Sequence, residues 1–399
     1  MHATKTTSTF RQTAASRGDG AKSLSQRYFV SPEIFASEQE KIFGRHWLLV
    51  GHQSQLEKSG DFFLATIAGE NLVVVRDQKS QVRGFYNVCR HRGTRLKEDA
   101  CGHGSTIQCP YHAWTYGLDG RLIGAPHMDE VPGFDKADYS LKPVNVGLWE
   151  GFIFVNLVPK RDGYYPDAAR LRSKARAQQR SGDFISLERW FAPLAGKFSE
   201  WNMPILRPMK RIEYDVHANW KLMFENYSEC YHCPGVHPQL QKISPYDSAE
   251  NDLSEGPFLG GFMKINQGKS LTMTGNACAR PVGKIDNLQQ VFYYSIFPNM
   301  LLSMHPEYVM VHQLWPQSPE RTLIVCDWFF HPDAARGRGG TPFNPDDAIE
   351  FWDITNKQDW HMCELSQQGI ASRAYEPGPY SSRESIPAAW DKYYLRITH

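Results

Sequence analysis

Short apolar runs bounded by turn residues recur through the first 160 residues of the chain. Examples lie at 73–75, 85–88 and 151–157, where valine, isoleucine and phenylalanine dominate. Such runs, rich in β-branched and aromatic residues, predict β-strands. We therefore predict a strand-rich domain over residues 41–160, preceded at 1–40 by an N-terminal arm and a helix.

The rest of the chain, residues 161–399, mixes strand patterns with helical ones, so the predicted fold class is α+β. A charged stretch at 160–200 has the composition of a connector and contains a helical pattern at 168–179. We predict one helix after Asn219 and a long helix over 344–370 that comes last. Alternating apolar and polar positions predict further strands, and these lie at 211–216, 291–297, 308–315 and 321–330.

A possible metal site follows Asn219, a residue type that caps helix N-termini. In a helix that begins there, Glu229 and His232 are neighbours on one face, three residues apart. Pro234, with a glycine after it, should end this helix and turn the chain back. His237 can then approach the same metal as His232.

A third ligand should be a distant carboxylate. The pattern at 344–370 begins with an N-cap residue, a proline and two acids, as helices commonly do. Asp359 lies within the apolar stripe of this helix, whereas we expect Asp353 and Lys357 to share a solvated face with Trp360. Because an unpaired buried charge is very costly, Asp359 needs a metal or a basic partner. On the helix pattern alone, a buried salt bridge is the favoured interpretation.

The pairs Cys89-x-His91 and Cys109-x-x-His112 form a second possible metal site, with 17 residues between them. Two thiolates on one iron and two imidazoles on the other hold a Rieske [2Fe–2S] cluster. A structural zinc site and four unrelated core residues are the alternatives. Zinc motifs usually pair like with like, whereas each pair here is mixed. The spacing favours the cluster.

With both sites in view, the chain resembles the large subunit of Rieske non-heme iron oxygenases from about residue 28 onward. The motifs that carry this resemblance are both cluster pairs, Asn219-Trp220-Lys221, Glu225-Asn226-Tyr227, Tyr231-His232 and His237-Pro238. The resemblance implies an all-β Rieske domain and a catalytic domain whose antiparallel sheet wraps around a long C-terminal helix. It also implies cluster ligands Cys89, His91, Cys109 and His112, and iron ligands His232, His237 and Asp359.

Glu229 departs from the family pattern, because most members have an aspartate three residues before the first iron histidine. The resemblance gives that carboxylate the role of an inter-subunit electron bridge between a cluster histidine and an iron histidine. A glutamate at this position makes the chain similar to one branch of the family. That branch oxidises quaternary ammonium compounds and includes carnitine and glycine betaine monooxygenases. The run at 229–233 is also similar to that branch.

Composition excludes several classes of function. The net charge of +1 gives no strong attraction to nucleic acid or to an anionic membrane. No apolar stretch reaches the roughly 18 residues of a spanning helix. Eight cysteines without a secretory signal favour a reducing, cytoplasmic location.

The first 25 or so residues weakly resemble a transit peptide, but a disordered arm is the favoured interpretation. Cys230 and Cys233 form a possible redox pair, which we consider the weaker interpretation beside an iron site.

Aromatic residues crowd the predicted sheet that should face the iron. Aromatic faces attract a quaternary ammonium by about 0.5–2 kcal/mol per good contact. Ordinary core packing is the alternative for most of them, and a flat aromatic substrate would also suit them. We expect one to three members of this set to line the substrate site: Phe292, Tyr293, Tyr294, Phe297, Tyr308, Trp315, Trp328, Phe329 and Phe330.

The leading functional hypothesis is an O₂-dependent monooxygenase that hydroxylates or N-demethylates a small betaine-type substrate. Ring hydroxylation of an aromatic acid is the second hypothesis, and a Rieske electron carrier without oxygenase activity is a third, from another class. The resemblance implies an NAD(P)H-dependent flavin or iron–sulfur reductase as partner. We expect a homotrimer, because a cluster and an iron in separate domains of one chain should be too far apart for fast electron transfer.

Overall fold

The structure is a computed structural model that describes residues 21–159, 184–336 and 343–398. The described residues of 39–197 form one compact unit, and those of 1–38 and 198–399 form a second. The predicted limits at 40/41 and 160/161 differ from this division, which assigns the N-terminal segment to the second unit. The predicted helix at 168–179 lies outside the described residues.

The first unit is built on antiparallel strands, as the apolar runs predict. A seven-stranded sheet has the order β1-β10-β9-β4-β3-β2-β5, and a three-stranded sheet has the order β6-β7-β8. The strands are β1 (Leu48–His52), β2 (Asp61–Ile67), β3 (Glu70–Arg76), β4 (Val82–Tyr86), β5 (Cys101–His103), β6 (Ile107–Gln108), β7 (Thr115–Tyr116), β8 (Leu122–Gly124), β9 (Pro143–Trp149) and β10 (Phe152–Asn156).

The second unit contains one seven-stranded antiparallel sheet of order β11-β17-β16-β15-β14-β13-β12. Its strands are β11 (Arg207–Val216), β12 (Glu250–Leu253), β13 (Phe258–Lys264), β14 (Gln290–Ile296), β15 (Met300–Met304), β16 (Val309–Ser318) and β17 (Arg321–Phe330). The four predicted strands correspond to β11, β14, β16 and β17. The sequence analysis missed β12, β13 and β15, which are short or interrupted by glycine.

The helices lie mainly in the second unit. They are α1 (Arg27–Val30), α2 (Pro32–Glu38), α3 (Leu187–Trp190), α4 (Trp220–Tyr227), α5 (Cys233–Val236), α6 (Pro238–Ile243), α7 (Pro332–Ala335), α8 (Pro345–Ile370) and α9 (Ser385–Thr398). A π-helix spans Gln39–Phe43, and short 3₁₀ turns cover Gln53–Gln55, Met128–Glu130, Lys136–Tyr139, Ala192–Leu194, Ser199–Trp201, Met203–Ile205 and Tyr246–Ser248. Within the described ranges, every helix is too short or too polar to cross a membrane.

The long helix α8 confirms the pattern at 344–370, but it is not the last element. Helix α9 follows it, with Ile386, Trp390 and Tyr394 buried at four-residue spacing. That spacing is typical of an amphipathic helix, so the signal was present in the sequence. The expectation of a solvated face around Asp353 was also wrong in part, because Trp360 is only 5% exposed.

Helix α4 is shorter than predicted and ends at Tyr227, so Glu229 and His232 lie beyond it. Asn219 caps its first turn, where its side chain accepts the N–H of Lys221 at 3.2 Å. After the helix, the carboxylate of Glu229 accepts the backbone N–H groups of Tyr231 and His232. Side-chain bonds of this kind compete with helix continuation, which explains the early end.

Candidate metal centres and active-site cavity

Both cysteine–histidine pairs lie on tight loops with the same backbone hydrogen-bond frame. The N–H groups of Cys89 and Cys109 each donate, at 2.8 Å, to the carbonyl oxygen five residues later. The N–H groups of Gly93 and Ala113 donate back to the cysteine carbonyls at 3.0 and 3.1 Å. Gly93 and Ala113 both have left-handed backbone angles, with φ of 80° and 55°. The two loops therefore present their ligands in equivalent ways.

The loops bring the four predicted cluster residues together. Cys89 and Cys109 are buried, whereas His91 is exposed and His112 is half-buried. The two histidine rings have centroids 4.8 Å apart, and the ring of His91 stacks on buried Trp114 at 4.7 Å. Buried thiols and outer imidazoles match the two ends of a Rieske cluster, and Trp114 covers one side of the site.

A single zinc ion does not fit this arrangement. Four tetrahedral zinc ligands must converge on one point. Among the described residues, no three of the cluster set place ligand atoms all within 4.8 Å of one another. A two-iron cluster divides its thiolates and imidazoles between two metals, so it tolerates this spread.

Tyr116 donates a hydrogen bond to the sulfur of Cys89, one of the predicted cluster ligands. Its hydroxyl oxygen accepts the backbone N–H of Arg90 at 2.9 Å and lies 3.4 Å from Cys89 Sγ. Because the oxygen accepts from Arg90, the O–H is free to donate to the sulfur. Burial raises the pKa of the Cys89 thiol, and the hydrogen bond from Tyr116 opposes that rise.

A compact ligand set lies in the second unit. His232, His237 and Asp359 each offer one atom, and these atoms lie within 4.8 Å of one another. Asp359 Oδ1 is 2.8 Å from His237 Nε2 and 3.3 Å from His232 Nε2. Two histidines and one carboxylate on one side of a site leave positions open for other ligands, as in non-heme iron(II) oxygenases. The structure therefore favours the metal interpretation of Asp359 over the salt bridge.

The outer nitrogens of both histidines are fixed by acceptors. His232 Nδ1 donates to Glu229 Oε1 at 2.5 Å, and His237 Nδ1 donates to Gln358 Oε1 at 2.8 Å. Such partners set the tautomer that directs Nε2 toward a metal. Gln358 is a positioning residue that was not predicted from the sequence, where it precedes Asp359 on the same helix.

The pKa values of Asp359 and His232 indicate that this group of residues favours a positive charge between them. Burial raises the pKa of Asp359, but hydrogen bonds from His232 and His237 outweigh it and hold the pKa at about 2. Burial lowers the pKa of His232, but Asp359 and Glu229 more than offset this and raise it to about 10. Without a metal, an imidazolium serves as the countercharge to the two carboxylates. A divalent cation fits the same position.

The loop that carries His232 also contains a cysteine pair. Cys230 and Cys233 are joined by a disulfide, with Cα atoms 5.0 Å apart. The two cysteines are therefore bonded to each other, and a redox role for the pair stays a prediction. The prediction that Pro234 ends a long helix was wrong, because it lies inside the short helix α5.

Comparison with known proteins agrees with both centres. The Rieske [2Fe-2S] domain family matches residues 46–135, and the ring-hydroxylating α-subunit catalytic domain family matches residues 205–397. The glycine betaine monooxygenase oxygenase subunit of Chromohalobacter salexigens is 32% identical over 400 residues, which cover 91% of this chain and 82% of that protein. This chain belongs to the Rieske non-heme iron oxygenase α-subunits. It therefore carries a Rieske cluster and a mononuclear iron.

Two further relatives place this α-subunit near one branch of the family. The carnitine monooxygenase oxygenase subunit of Acinetobacter baumannii is 34% identical over 364 residues, covering 90% of this chain and 87% of that protein. The crystal structure of the quaternary ammonium Rieske monooxygenase CntA with L-carnitine superposes with a TM-score of 0.74, at 25% identity and 98% coverage of both chains. The predicted fold class is thereby confirmed.

A cavity of the α-subunit opens beside the iron triad. Its lining includes five aromatic side chains, which come from four elements. Among these five, Tyr293 alone belongs to the nine predicted aromatics. One of the nine predicted aromatics therefore lines this cavity, and its place in a substrate site stays a prediction. The aromatic lining residues are Tyr227, Phe262, Tyr293, Trp352 and Trp360.

The charge of this cavity is negative apart from its histidines. Its acidic lining residues are Glu229 and Asp359, and no lysine or arginine appears among the described residues that line it.

Two glycines of β13, Gly260 and Gly261, also line the cavity. A Cβ at Gly260 would lie 2.0 Å from the carbonyl oxygen of Tyr293. A side chain is thus excluded at Gly260.

A hydrogen-bond chain fixes a buried histidine at the cavity. Tyr214 donates to Asp353 at 2.9 Å and accepts the side-chain N–H of Asn356 at 3.3 Å. The Asn356 oxygen is therefore left to accept Nε2–H of His312 at 3.2 Å. Burial lowers the pKa of His312 to about 4, so its ring is neutral. The sequence analysis missed His312, which looks like an ordinary strand residue between valines and leucines.

Proposed function

We propose that this α-subunit is the oxygenase component of a system that hydroxylates or oxidatively N-demethylates a small quaternary ammonium or betaine-type substrate. The observation that carries the proposal is the cavity beside the iron triad, which has five aromatic side chains and two carboxylates but no lysine or arginine among its described lining residues. Aromatic faces attract a quaternary ammonium, and no lysine or arginine among the described lining residues repels it. By their names, two relatives act on glycine betaine and carnitine.

We assign the cluster to Cys89, His91, Cys109 and His112, in a Rieske domain within residues 41–160. We assign the iron to His232, His237 and Asp359, in a catalytic domain within residues 161–399. The reduced iron, when bound, supplies the activation of O₂. Glu229 and Gln358 hold the histidines in the metal-binding tautomer, since each accepts the outer N–H. An N-methyl group hydroxylated in the cavity leaves as formaldehyde and releases the amine.

We propose that electrons come from a separate NAD(P)H-dependent flavin or iron–sulfur reductase and cross between subunits of a homotrimer. Glu229 is the proposed bridge between His232 and His112 of a neighbouring copy. Its Oε2 already accepts two backbone N–H groups. These two bonds disfavour Oε2 as the acceptor for the N–H of the neighbouring His112. The remaining lone pair of Oε1 is the better acceptor for that contact.

The function is tested by reducing the iron-loaded protein without oxygen, removing the reductant and adding O₂ with one candidate substrate. The panel contains choline, glycine betaine, carnitine, benzoate and salicylate. We expect product from at least one quaternary ammonium compound, and formaldehyde wherever an N-methyl group is lost. Product from an aromatic acid alone would contradict the proposal and support ring hydroxylation.

An iron count separates the classes of protein. An oxygenase should contain three irons per chain, a Rieske electron carrier two and a zinc protein none. Two irons in a fully folded protein, with no gain when iron(II) is added, would exclude oxygenase function. Zinc at the cysteine–histidine pairs would exclude both iron interpretations of the first unit.

A further inference from the structure

The bonded pair Cys230 and Cys233 has no part in the proposed reaction. The two cysteines flank His232 on the loop between α4 and α6, and both line the cavity. Their side chains are nearly buried, at 6% and 3% exposure. The structure describes the remaining cysteines as free, and Cys101 is the exposed one among them.

The pair lies against the metal-binding side of His232. Cys233 Sγ is 4.0 Å from His232 Nε2, and the same nitrogen is 3.3 Å from Asp359 Oδ1. The N–H of Cys233 also donates to the carbonyl oxygen of Cys230 at 3.2 Å. The sulfur bridge and this hydrogen bond together close a short loop around the histidine.

We infer that Cys230 and Cys233 form a reversible redox site that sets how tightly the iron is held. In the oxidised state the bridge limits the loop to conformations that direct His232 toward Asp359. Reduction opens the loop and leaves His232 held mainly by Glu229. Loss of a group that orients a metal ligand costs roughly 10–100-fold in metal affinity. The disulfide form should therefore retain iron about tenfold longer than the dithiol.

The redox chemistry balances with glutathione disulfide as the oxidant. One cysteine thiolate attacks a glutathione sulfur, breaks the glutathione S–S bond and releases one glutathione thiolate. The second cysteine then attacks the mixed disulfide, forms the protein S–S bond and releases the second glutathione. The two thiol protons go to the two glutathione thiolates, so two protein thiols are oxidised and one disulfide is reduced. Dithiothreitol drives the reverse exchange.

The first measurement asks whether the pair is reversible. The full-length, iron-loaded protein is equilibrated without oxygen over a series of glutathione to glutathione disulfide ratios, quenched in acid and alkylated. Peptide masses should show the Cys230–Cys233 bond appearing at oxidising ratios and disappearing at reducing ones, while Cys101 is alkylated or carries glutathione. A pair that stays bonded, or stays reduced, at every ratio would overturn the inference.

The second measurement asks whether the pair controls the metal. Release of mononuclear iron to a ferrous chelator is timed for the oxidised and reduced wild-type protein, and visible absorption confirms that the cluster remains intact. We expect release to be about tenfold faster after reduction. Rates within about twofold of each other would overturn the inference.

Variants supply matched controls for the release rate. Cys230→Ser and Cys233→Ala should each show the fast rate under both conditions, because neither can form the bridge. Cys101→Ser should keep the wild-type difference between the two states. A Cys101→Ser protein without the redox difference would assign the effect to another thiol. If either loop variant does not fold, the two states of the wild-type protein still decide the result.

Discussion

At the scale of single residues, a few hydrogen bonds set the behaviour of both metal centres. Tyr116 donates to the sulfur of Cys89, a proposed cluster ligand. Glu229 and Gln358 accept from the two histidines proposed to bind iron. Each of these groups is hydrogen-bonded directly to a residue that we propose as a metal ligand. Their effects should therefore appear as changes in potential, in electron-transfer rate or in metal affinity.

Tyr116→Phe should lower the reduction potential of the cluster. The O–H bond to Cys89 Sγ stabilises the more negative, reduced cluster, so its loss favours the oxidised form. A difference of about 1 kcal/mol corresponds to roughly 40 mV for a one-electron couple. Protein-film voltammetry measures the shift, with exposed Tyr111→Phe as a control. A potential unchanged in Tyr116→Phe would show that the hydroxyl does not donate to the sulfur.

Glu229→Gln should keep both metals but slow oxidation of the cluster in a single turnover. The amide can direct an N–H group toward His232 Nδ1–H, which removes the acceptor on the proposed electron route. Glu229→Asp should retain only part of the activity, because the shorter side chain does not reach as far. Stopped-flow absorbance follows the cluster, and iron content is checked in parallel. Wild-type rates in fully loaded Glu229→Gln would exclude this bridge.

At the scale of secondary-structure elements, the N-terminal helix α2 is anchored to α4 by a buried ion pair. Glu38 is 1% exposed and lies 2.6 Å from Lys221 Nζ. It also accepts from Trp220 Nε1 at 2.9 Å and from the hydroxyl of Tyr394 on α9 at 2.5 Å. Three elements far apart in sequence therefore converge on one carboxylate.

Glu38→Gln should destabilise the protein strongly. Breaking the pair removes the direct partner of the buried Lys221. The cost should be about 3–5 kcal/mol, or roughly 5 °C in melting temperature for a chain of this length. Glu33→Gln is the matched control, because Glu33 lies on the same helix but is exposed. Differential scanning calorimetry compares the two variants. Equal melting temperatures would show that Glu38 does not anchor α2.

At the scale of the whole molecule, the proposed trimer makes a prediction about mixed subunits. Asp359→Ala removes a proposed iron ligand, and Cys89→Ala removes a proposed cluster ligand, so each variant alone should be inactive. Co-expressed with distinct tags and purified as hybrids, they should regain activity, because an intact cluster can lie beside an intact iron on a neighbouring chain. Product formation with reductase measures the recovery.

The control for the hybrid experiment mixes the two purified variants without subunit exchange, as verified by native mass spectrometry. This mixture should stay inactive. Inactive hybrids with full metal content at the intact sites would indicate electron transfer within one chain. A wild-type protein that sediments as a fully active monomer would also exclude the trimer.

The two metal motifs were predictable from the sequence alone. Residue type and short spacing are local properties of the chain. They are enough to predict metal binding at Cys89-x-His91, at Cys109-x-x-His112 and at the pair His232 and His237. Asn219 as an N-cap and the strands at 308–315 and 321–330 were predictable for the same reason, because helix capping and strand alternation depend on near neighbours.

Only the tertiary structure decided how distant parts meet. It placed Asp359 beside two histidines more than 120 residues earlier in the chain, where the helix pattern alone favoured a salt bridge. It built the cavity from Tyr227, Tyr293 and Trp352, which share no local pattern. It also placed Glu38, at the end of α2, beside Lys221 within the second unit. Contacts of this kind depend on how strands and helices cross, and short-range sequence patterns carry no information about those crossings.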